Sequence, residues 1–283
     1  MKLSRLLSVL FFAALLALGC ASPGSPDGGP YDETPPMVVG STPKYGNLNT
    51  KSKKVEIYFN EFIKVENASE KVVVSPPQLN QPEITGLGKK IKVSLQDSLK
   101  DNTTYTIDFS DAIVDNNEGN PLGHYTFVFS TGNTTDTMEV AGKVLDARNL
   151  EPVKGILVGL HSDTTDSAFL KRPFVRVART NGSGEFIVKG VAPGRYRAYA
   201  LEDADGNFAF SQKSERIAFL PKVFETGSYP DVRPDTVWHD SIHIDSIRIV
   251  HFTHYTPDNL VLMAFLESHQ ERHLLKTERP VPE

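Results

Sequence analysis

Apolar residues fall in short alternating runs along most of the chain, each run closed by turn-forming residues. In "KKVEIYFNEFIKV", Val55, Ile57 and Phe59 share one face and Glu56 and Tyr58 the other, the period of a half-buried strand. The same alternation returns at Val72 to Val74, at Ile91, Val93 and Leu95, at Tyr105, Ile107 and Phe109, and at Tyr125, Phe127 and Phe129. "PPQLNQP", "DNNEGNP" and "STGN" punctuate these runs, and no helical period of useful length intervenes. Short strands with such turns predict an antiparallel sandwich.

A second set of alternations opens at "MEVAGKVLDARNLEPVKGILVGLHSD", with Val140, Gly142 and Val144 on one face and Ile156, Val158 and Leu160 on the next strand. "TNGSGEFIVKGVAPGRYRAYAL" then predicts a glycine turn, a strand, an "APG" turn and a strand through Tyr196, Ala198 and Ala200. After the Pro- and Gly-bearing "FETGSYPDVRPDT", "SIHIDSIRIV" carries Ile242, Ile244, Ile247 and Ile249 near period two, and "NLVLMAFLES" reads as a further strand. Two strands alone are marginal in water, so these are expected to pack on the preceding domain or on something outside the chain.

The amino terminus breaks this pattern. Lys2 and Arg5 precede an apolar run, Leu6 to Leu18, interrupted only by Ser8. A spanning helix needs ~20 apolar residues, so the run fits the hydrophobic region of a secretory signal. From Ala21 to Pro36, "ASPGSPDGGPYDETPP" holds one large apolar residue, Tyr31, and reads as a flexible tether.

Composition adds two limits. With 283 residues, 39% hydrophobic and 23% charged, the chain has material for roughly two globular domains. Its net charge is −5 with Lys and Arg scattered, which excludes the electrostatic footprint of a nucleic-acid binder. The single cysteine, Cys20, can form neither an intramolecular disulfide nor a thiolate metal site.

Leu16, Ala17, Leu18, Gly19 and Cys20 resemble a bacterial lipobox: Gly19 fits, and Ala17 and Leu18 reverse the usual leucine-then-small order. The resemblance implies cleavage between Gly19 and Cys20, diacylglycerol on the thiol, and acylation, palmitate included, of the new terminus. One acyl chain binds a membrane only marginally, whereas several, at ~0.8 kcal/mol per buried CH₂, hold it stably. An ordinary signal peptide with a chance cysteine is the competing reading.

Two further resemblances concern the folded part. "VEIYFNEFIKV", "LKDNTTYTIDFSDAIVDNNEGNPL" and "YTFVFSTG" resemble the bacterial Ig-like domain of surface-layer and other exported proteins. "GKVLDARNLEPVKGILVGL" followed by "TNGSGEFIVKGVAPGRYRAYAL" resembles the carboxypeptidase regulatory-like, or prealbumin-like, β-sandwich, with Gly184 and Gly194 at turns and Phe186 and Tyr196 filling a small core. The resulting expectation is an all-β chain: signal peptide 1–19, lipidated tether 20–35, Ig-like domain 36–132, regulatory-like sandwich 138–222, and a linker with a β-rich carboxy-terminal segment 223–283. In surface lipoproteins resembling the chain from "GGPYDETPP" onward the β-rich region continues further, so that last segment is expected to be a short or a truncated version.

Three groups of side chains are candidates for chemistry. Asp111, Asp115, Asn117 and Glu118 in "DAIVDNNEGNP", and Glu202, Asp203, Asp205 and Asn207 in "LEDADGNF", offer oxygen ligands for calcium. Neither has the twelve-residue calcium-loop spacing, and both equally serve as turns. His239, His243, His251, His254, His269 and His273 crowd the carboxy-terminal segment, but their spacings of three and four along strands send side chains in mixed directions.

No H-x-x-E, H-E-x-x-H or G-x-S-x-G motif occurs, so the regulatory-like module is expected without a peptidase. The expected function is therefore a lipid-anchored, non-enzymatic protein of the outer membrane, facing periplasm or exterior. It would present sandwich modules to a protein or glycan partner or act as a spacer, and it needs no cofactor beyond the lipid. The alternatives are a carbohydrate-binding accessory using aromatics such as Tyr199, Phe208, Phe210 and Trp238, or a hydrolase of glycan or peptide.

Overall fold

The computed structural model describes residues 32–238 and 243–267, and everything below concerns those residues. Cys20, the signal and most of the tether lie outside them, as do His239, Ile242, His269 and His273. Among the described residues the protein is all-β, its only helices there being the single turns α1 (Ala68–Lys71) and α2 (Ala168–Lys171).

The first sandwich begins with β1 (Val38–Thr42), β2 (Lys54–Phe59), β3 (Ile63–Val65), β4 (Val73–Ser75), β5 (Glu83–Leu87) and β6 (Lys90–Ser94). It continues with β7 (Thr104–Asp108), β8 (Ile113–Asp115) and β9 (Thr126–Ser130). A four-stranded sheet ordered β1-β2-β6-β5 and a three-stranded sheet β4-β7-β9 carry most of the strands, with β3-β8 as a small pair. Every pairing among them is antiparallel.

The alternation in the sequence becomes the two faces of the sheets. Val55, Ile57, Ile91 and Val93 from one sheet and Tyr105, Ile107, Phe127 and Phe129 from the other form one fully buried cluster. Tyr105 and Phe129 sit side by side across the β7/β9 ladder, stacked with ring centroids 5.2 Å apart. The Tyr105 hydroxyl, which burial would leave unpaired, accepts the Lys100 N–H at 2.8 Å.

The second unit is built from β10 (Met138–Asp146), β11 (Leu157–His161), β12 (Arg176–Arg179), β13 (Glu185–Val191), β14 (Arg195–Leu201), β15 (Arg216–Phe219) and β16 (Phe224–Glu225). Three longer elements follow: β17 (Gly227–Trp238), β18 (Ile244–Thr256) and β19 (Leu260–Leu266). One sheet runs β12-β11-β14-β15-β19-β10-β13, with β16 added on β14, and its two end strands β12 and β13 lie against each other. The sheet is thereby rolled into two facing layers around Val140, Val158, Leu160, Phe186, Val188, Tyr196 and Leu262.

Here the structure differs from the expected boundary at residue 222. β19 inserts between β10 and β15, parallel to the first and antiparallel to the second, and buries Leu262 and Ala264. The segment after 223 is therefore not an appendage, because the second sandwich is incomplete without it. Gly142 makes the approach feasible: a Cβ there would lie 2.2 Å from the Leu260 carbonyl oxygen.

β17 and β18, by contrast, pair only with each other in a two-stranded ribbon. Pro230 and Pro234 in β17 remove two N–H groups from that strand, which blunts it against further pairing.

Candidate functional site

The joint between the sandwiches is built from buried polar groups. Arg176 on β12, only 6% exposed, donates to the Thr104 carbonyl and, at 3.3 Å, to the Ser75 carbonyl. It also faces the Asp136 carboxylate at 3.5 Å. The Val177 N–H donates to Ser75 Oγ at 3.1 Å, and the Asp136 N–H to Thr104 Oγ1 at 2.8 Å. Lys189 on β13 reaches Thr126 Oγ1 at 3.0 Å.

Apolar packing runs through the same joint, since Val73 of the first sandwich belongs to one buried cluster with Leu157, Phe169, Phe174, Val177 and Tyr199 of the second. Gly190, at φ +67, brings β13 against Thr106, whose methyl would be 2.8 Å from a Cβ at that position. A buried guanidinium is tolerated only with its donors satisfied, and the partners of Arg176, namely Ser75, Thr104 and Asp136, lie in the first sandwich or the segment that leaves it.

Beside this joint opens a crevice of about 520 Å³. Val72 and Gln78 line it from the first sandwich, and Leu157, Arg179, Asp203 and Phe208 from the second. Gln78 is 7% exposed and its Oε1 has no hydrogen-bond partner, an uncommon state for a buried amide. Arg179 commits one guanidinium nitrogen, to the Gly155 carbonyl at 3.0 Å. Phe208 has φ +58, a left-handed conformation costly for an aromatic residue.

The strained loop bearing Phe208 is organised by three carboxylates. Asp203, Asp205 and Glu215 bring one oxygen each within 4.8 Å of one another. Glu215 was invisible to spacing, whereas Glu202 turns away toward Arg216 at 3.7 Å. Every oxygen of the three already accepts a hydrogen bond from the loop. Asp203 takes the N–H groups of Gly206, Asn207 and Phe208. Asp205 takes Asn207, Ser211 and Gln212 donors, and Glu215 takes the N–H groups of Ala204, Ser211 and Gln212.

Burial pushes the Asp203 carboxyl above its ordinary value, against the opposing pull of those N–H groups. The Ser211 hydroxyl holds Asp205 below. A calcium ion would have to displace donors aimed at the oxygens it needs, so the set acts as a turn clamp.

The first candidate calcium loop behaves likewise. The Asp115 carboxylate, 1% exposed, accepts the N–H groups of Asn117, Glu118, Gly119 and Asn120 at 2.7 to 3.0 Å. Burial raises its pKa and these four bonds more than reverse that, leaving it at about 2. Asp111 instead faces Lys71 at 3.2 Å.

Of the described carboxy-terminal histidines, His251 and His254 project from opposite faces of β18. His254 lies between Asp231 and Asp258 and stacks on Tyr229 at 4.7 Å. Tyr199, a candidate sugar platform, is instead buried and stacked on Phe169 at 4.4 Å. Phe210 stacks on the same ring at 5.7 Å, and the Trp238 side chain lies outside the described set.

Two Greek-key-sized β units, locked by a polar joint and lacking any helix long and apolar enough to cross a membrane among the described residues, define an all-β modular protein. The first unit has a known family: residues 32–131 match the model of the Bacterial Ig-like domain. No curated protein matches the chain.

Solved structures with a similar course include the N-terminal part of the bacterial S-layer protein SbsC, at 14% identity and TM-score 0.25 over 77% of this chain and 44% of that one. The T6 backbone pilin of serotype M6 Streptococcus pyogenes is similar at 10% identity and TM-score 0.21, over 79% of this chain and 66% of that one. An L,D-transpeptidase from Mycobacterium smegmatis is similar at 10% identity and TM-score 0.23, over 56% of this chain and 77% of that one. The chain thus spans less than half of the S-layer fragment and just under two thirds of the pilin. At such identity and TM-score the likeness assigns neither activity nor partner.

Proposed function

We propose that the protein is a lipid-anchored, non-enzymatic component of the outer membrane whose two sandwiches are displayed as one stiff unit, for contact with a protein or glycan or as a spacer. The observation that carries this reading is the joint: Arg176 bridges the modules from a buried position while Val73 shares a core with the second sandwich. A linker of independent beads needs no such contacts, whereas a presenting arm gains reach and orientation from them.

Non-enzymatic action is supported by the state of the carboxylates. Asp203, Asp205 and Glu215, the close acidic set among the described residues, spend their oxygens on loop N–H groups and are poorly placed to move a substrate proton. We read residues 138–222 together with β19 as the regulatory-like sandwich. Phe186 and Tyr196 sit in its core, and the Tyr196 hydroxyl donates to the Ala192 carbonyl at 3.0 Å in the "APG" turn.

Anchoring rests on Cys20 and the sequence around it. Cys20→Ala releases the mature chain from the membrane fraction and abolishes labelling by radioactive palmitate. Full membrane retention of that variant contradicts the anchor.

A further inference from the structure

We infer that the β17/β18 ribbon is a dimerisation arm: the outer edge of β18 pairs antiparallel with the same edge in a second copy of this chain, centred on Ile249. The inference goes beyond the proposed display role and does not depend on the anchor. It rests on a difference between the two edges of one ribbon.

Along an antiparallel ladder, successive residues turn their N–H and C=O groups alternately into the pair and out to the free edge. Pro230 and Pro234 have no N–H, yet the ladder runs through both in unbroken register, so they stand at outward positions, as does Val232 between them. The Val232 N–H is taken by the Asp231 carboxylate at 2.8 Å. These outward positions of β17 thus present no free donor.

Their partners across the ladder, Thr253, His251 and Ile249, face outward on β18, and Ile247 opposite Thr236 continues the row. No proline interrupts β18. The base of the ribbon lies against β10, where the Ala141 N–H bonds the Pro257 carbonyl just past β18. Further out, from Ile247 to His251, the edge meets no strand among the described residues. An edge of that kind is a template for another strand, and here one side of the ribbon is closed while the other is left open.

Charge selects the occupant. Arg248 is the single Lys, Arg, Asp or Glu from Ile247 to His251, and its guanidinium is already held by Asp235 at 2.7 and 2.8 Å within the same ribbon. The stretch therefore asks its partner for branched apolar residues and no countercharge, which is what its own copy brings. Antiparallel pairing centred on Ile249 sets Ile249 against its copy, Ile247 against His251 and Arg248 against Val250, with no like charges opposed. Centring on Arg248, or parallel pairing in register, sets two guanidinium groups face to face.

The resulting sheet, ordered β17-β18-β18-β17, carries the closed strand on both outer edges, so growth stops at two copies. Pairing lies in the plane of the ribbon and leaves its apolar face open to water. So short a contact is small against the ~1,600 Å² of a standard interface, and the dimer is accordingly weak.

The test is sedimentation equilibrium of the full-length chain in density-matched detergent. A monomer–dimer equilibrium is expected. Ile249→Pro gives β18 the device that β17 already carries and, at an outward position, spares the β17/β18 ladder; it should weaken dimerisation about ten-fold or more. Thr236→Pro, its counterpart on β17, should leave dimerisation unchanged.

Cross-linking keeps the test informative if Ile249→Pro disturbs the ribbon. In a Cys20→Ala background, Ile249→Cys should give a disulfide-linked dimer on mild oxidation, since facing strand residues lie about 5.5 Å apart between Cα atoms, and Thr236→Cys should not. A chain that stays monomeric at the highest concentration reached, assembly beyond the dimer, indifference to Ile249→Pro in a folded variant, or equal linking through Thr236→Cys each overturns the arm. Linking of Ile249→Cys to a different envelope protein instead of a second copy assigns the edge to a foreign strand and overturns it as well.

Discussion

β2 and β18 carry the same message in sequence and meet opposite fates. "KVEIYF" and "IDSIRIV" both alternate branched apolar with polar residues. In β2, Val55 and Ile57 are 0% exposed, covered by the sheet β4-β7-β9. In β18, Ile247 and Ile249 are 62% and 61% exposed, on the same face as Val232 of the paired strand at 51%. Period two therefore specifies a strand with two different faces and says nothing of what covers the apolar one. Burial is decided by whether a second layer exists, which for β18 among the described residues it does not.

The largest effect that tests this contrast is expected at Ile57. Ile57→Ala removes methyl groups from a core clamped between two sheets, where little relaxation can fill the gap, and should cost about 2–5 kcal/mol. Urea denaturation followed by aromatic fluorescence reads it. A loss below about 1 kcal/mol would mean that the two sheets do not pack as tightly as their burial implies.

The same contrast marks what was legible in advance. Strand periods at Val55 to Phe59 and Tyr105 to Phe109, and the turn at Asp115, follow from local chemistry and could be read directly. The place of β19 could not, because its partner β10 lies more than a hundred residues earlier and pairing is settled by which edge is free. Gly142 was the one local trace, a residue without a side chain where two backbones nearly touch.

The crevice was less legible still. Arg176 sits in "PFVRVAR" like any solvent-facing strand residue, and arginine is seldom buried unless paired, so its role at the joint exists only in three dimensions. Gln78 fell within "PPQLNQP", a stretch that reads as turn. Glu215 joins Asp203 and Asp205 across a loop of irregular backbone that no spacing rule describes.

Histidines sharpen the comparison at intermediate size. His254 on the ribbon has carboxylates on both sides, whereas His161 in β11 is 2% exposed, packed 5.0 Å from the Phe174 ring, with no partner for Nε2. Burial drops its pKa to about 4 from 6.5, with Asp163 pulling the other way. Between those values the unfolded chain binds a proton that the folded chain refuses, so stability falls as pH drops from about 6.5 to 4 and levels off below. The contribution at the acid end is on the order of 3 kcal/mol. In His161→Leu that part of the slope should vanish while slopes from carboxylates persist; an unchanged pH profile in melting experiments would show that His161 protonates freely in the folded state.

The smallest effect is expected where the pattern in sequence is just as strong. Ile249→Ser replaces an apolar side chain that is already in water, opposite Pro234 on a ribbon with no facing layer, so unfolding free energy should shift by no more than about 0.5 kcal/mol. Run beside Ile57→Ala in the same urea series, the two substitutions take branched residues from similar sequence contexts, one covered by a second layer and one not. If Ile249→Ser cost more than about 1 kcal/mol, the apolar face of the ribbon would have to be covered in solution, and the contrast between the two strands would collapse into a difference of partner rather than of burial.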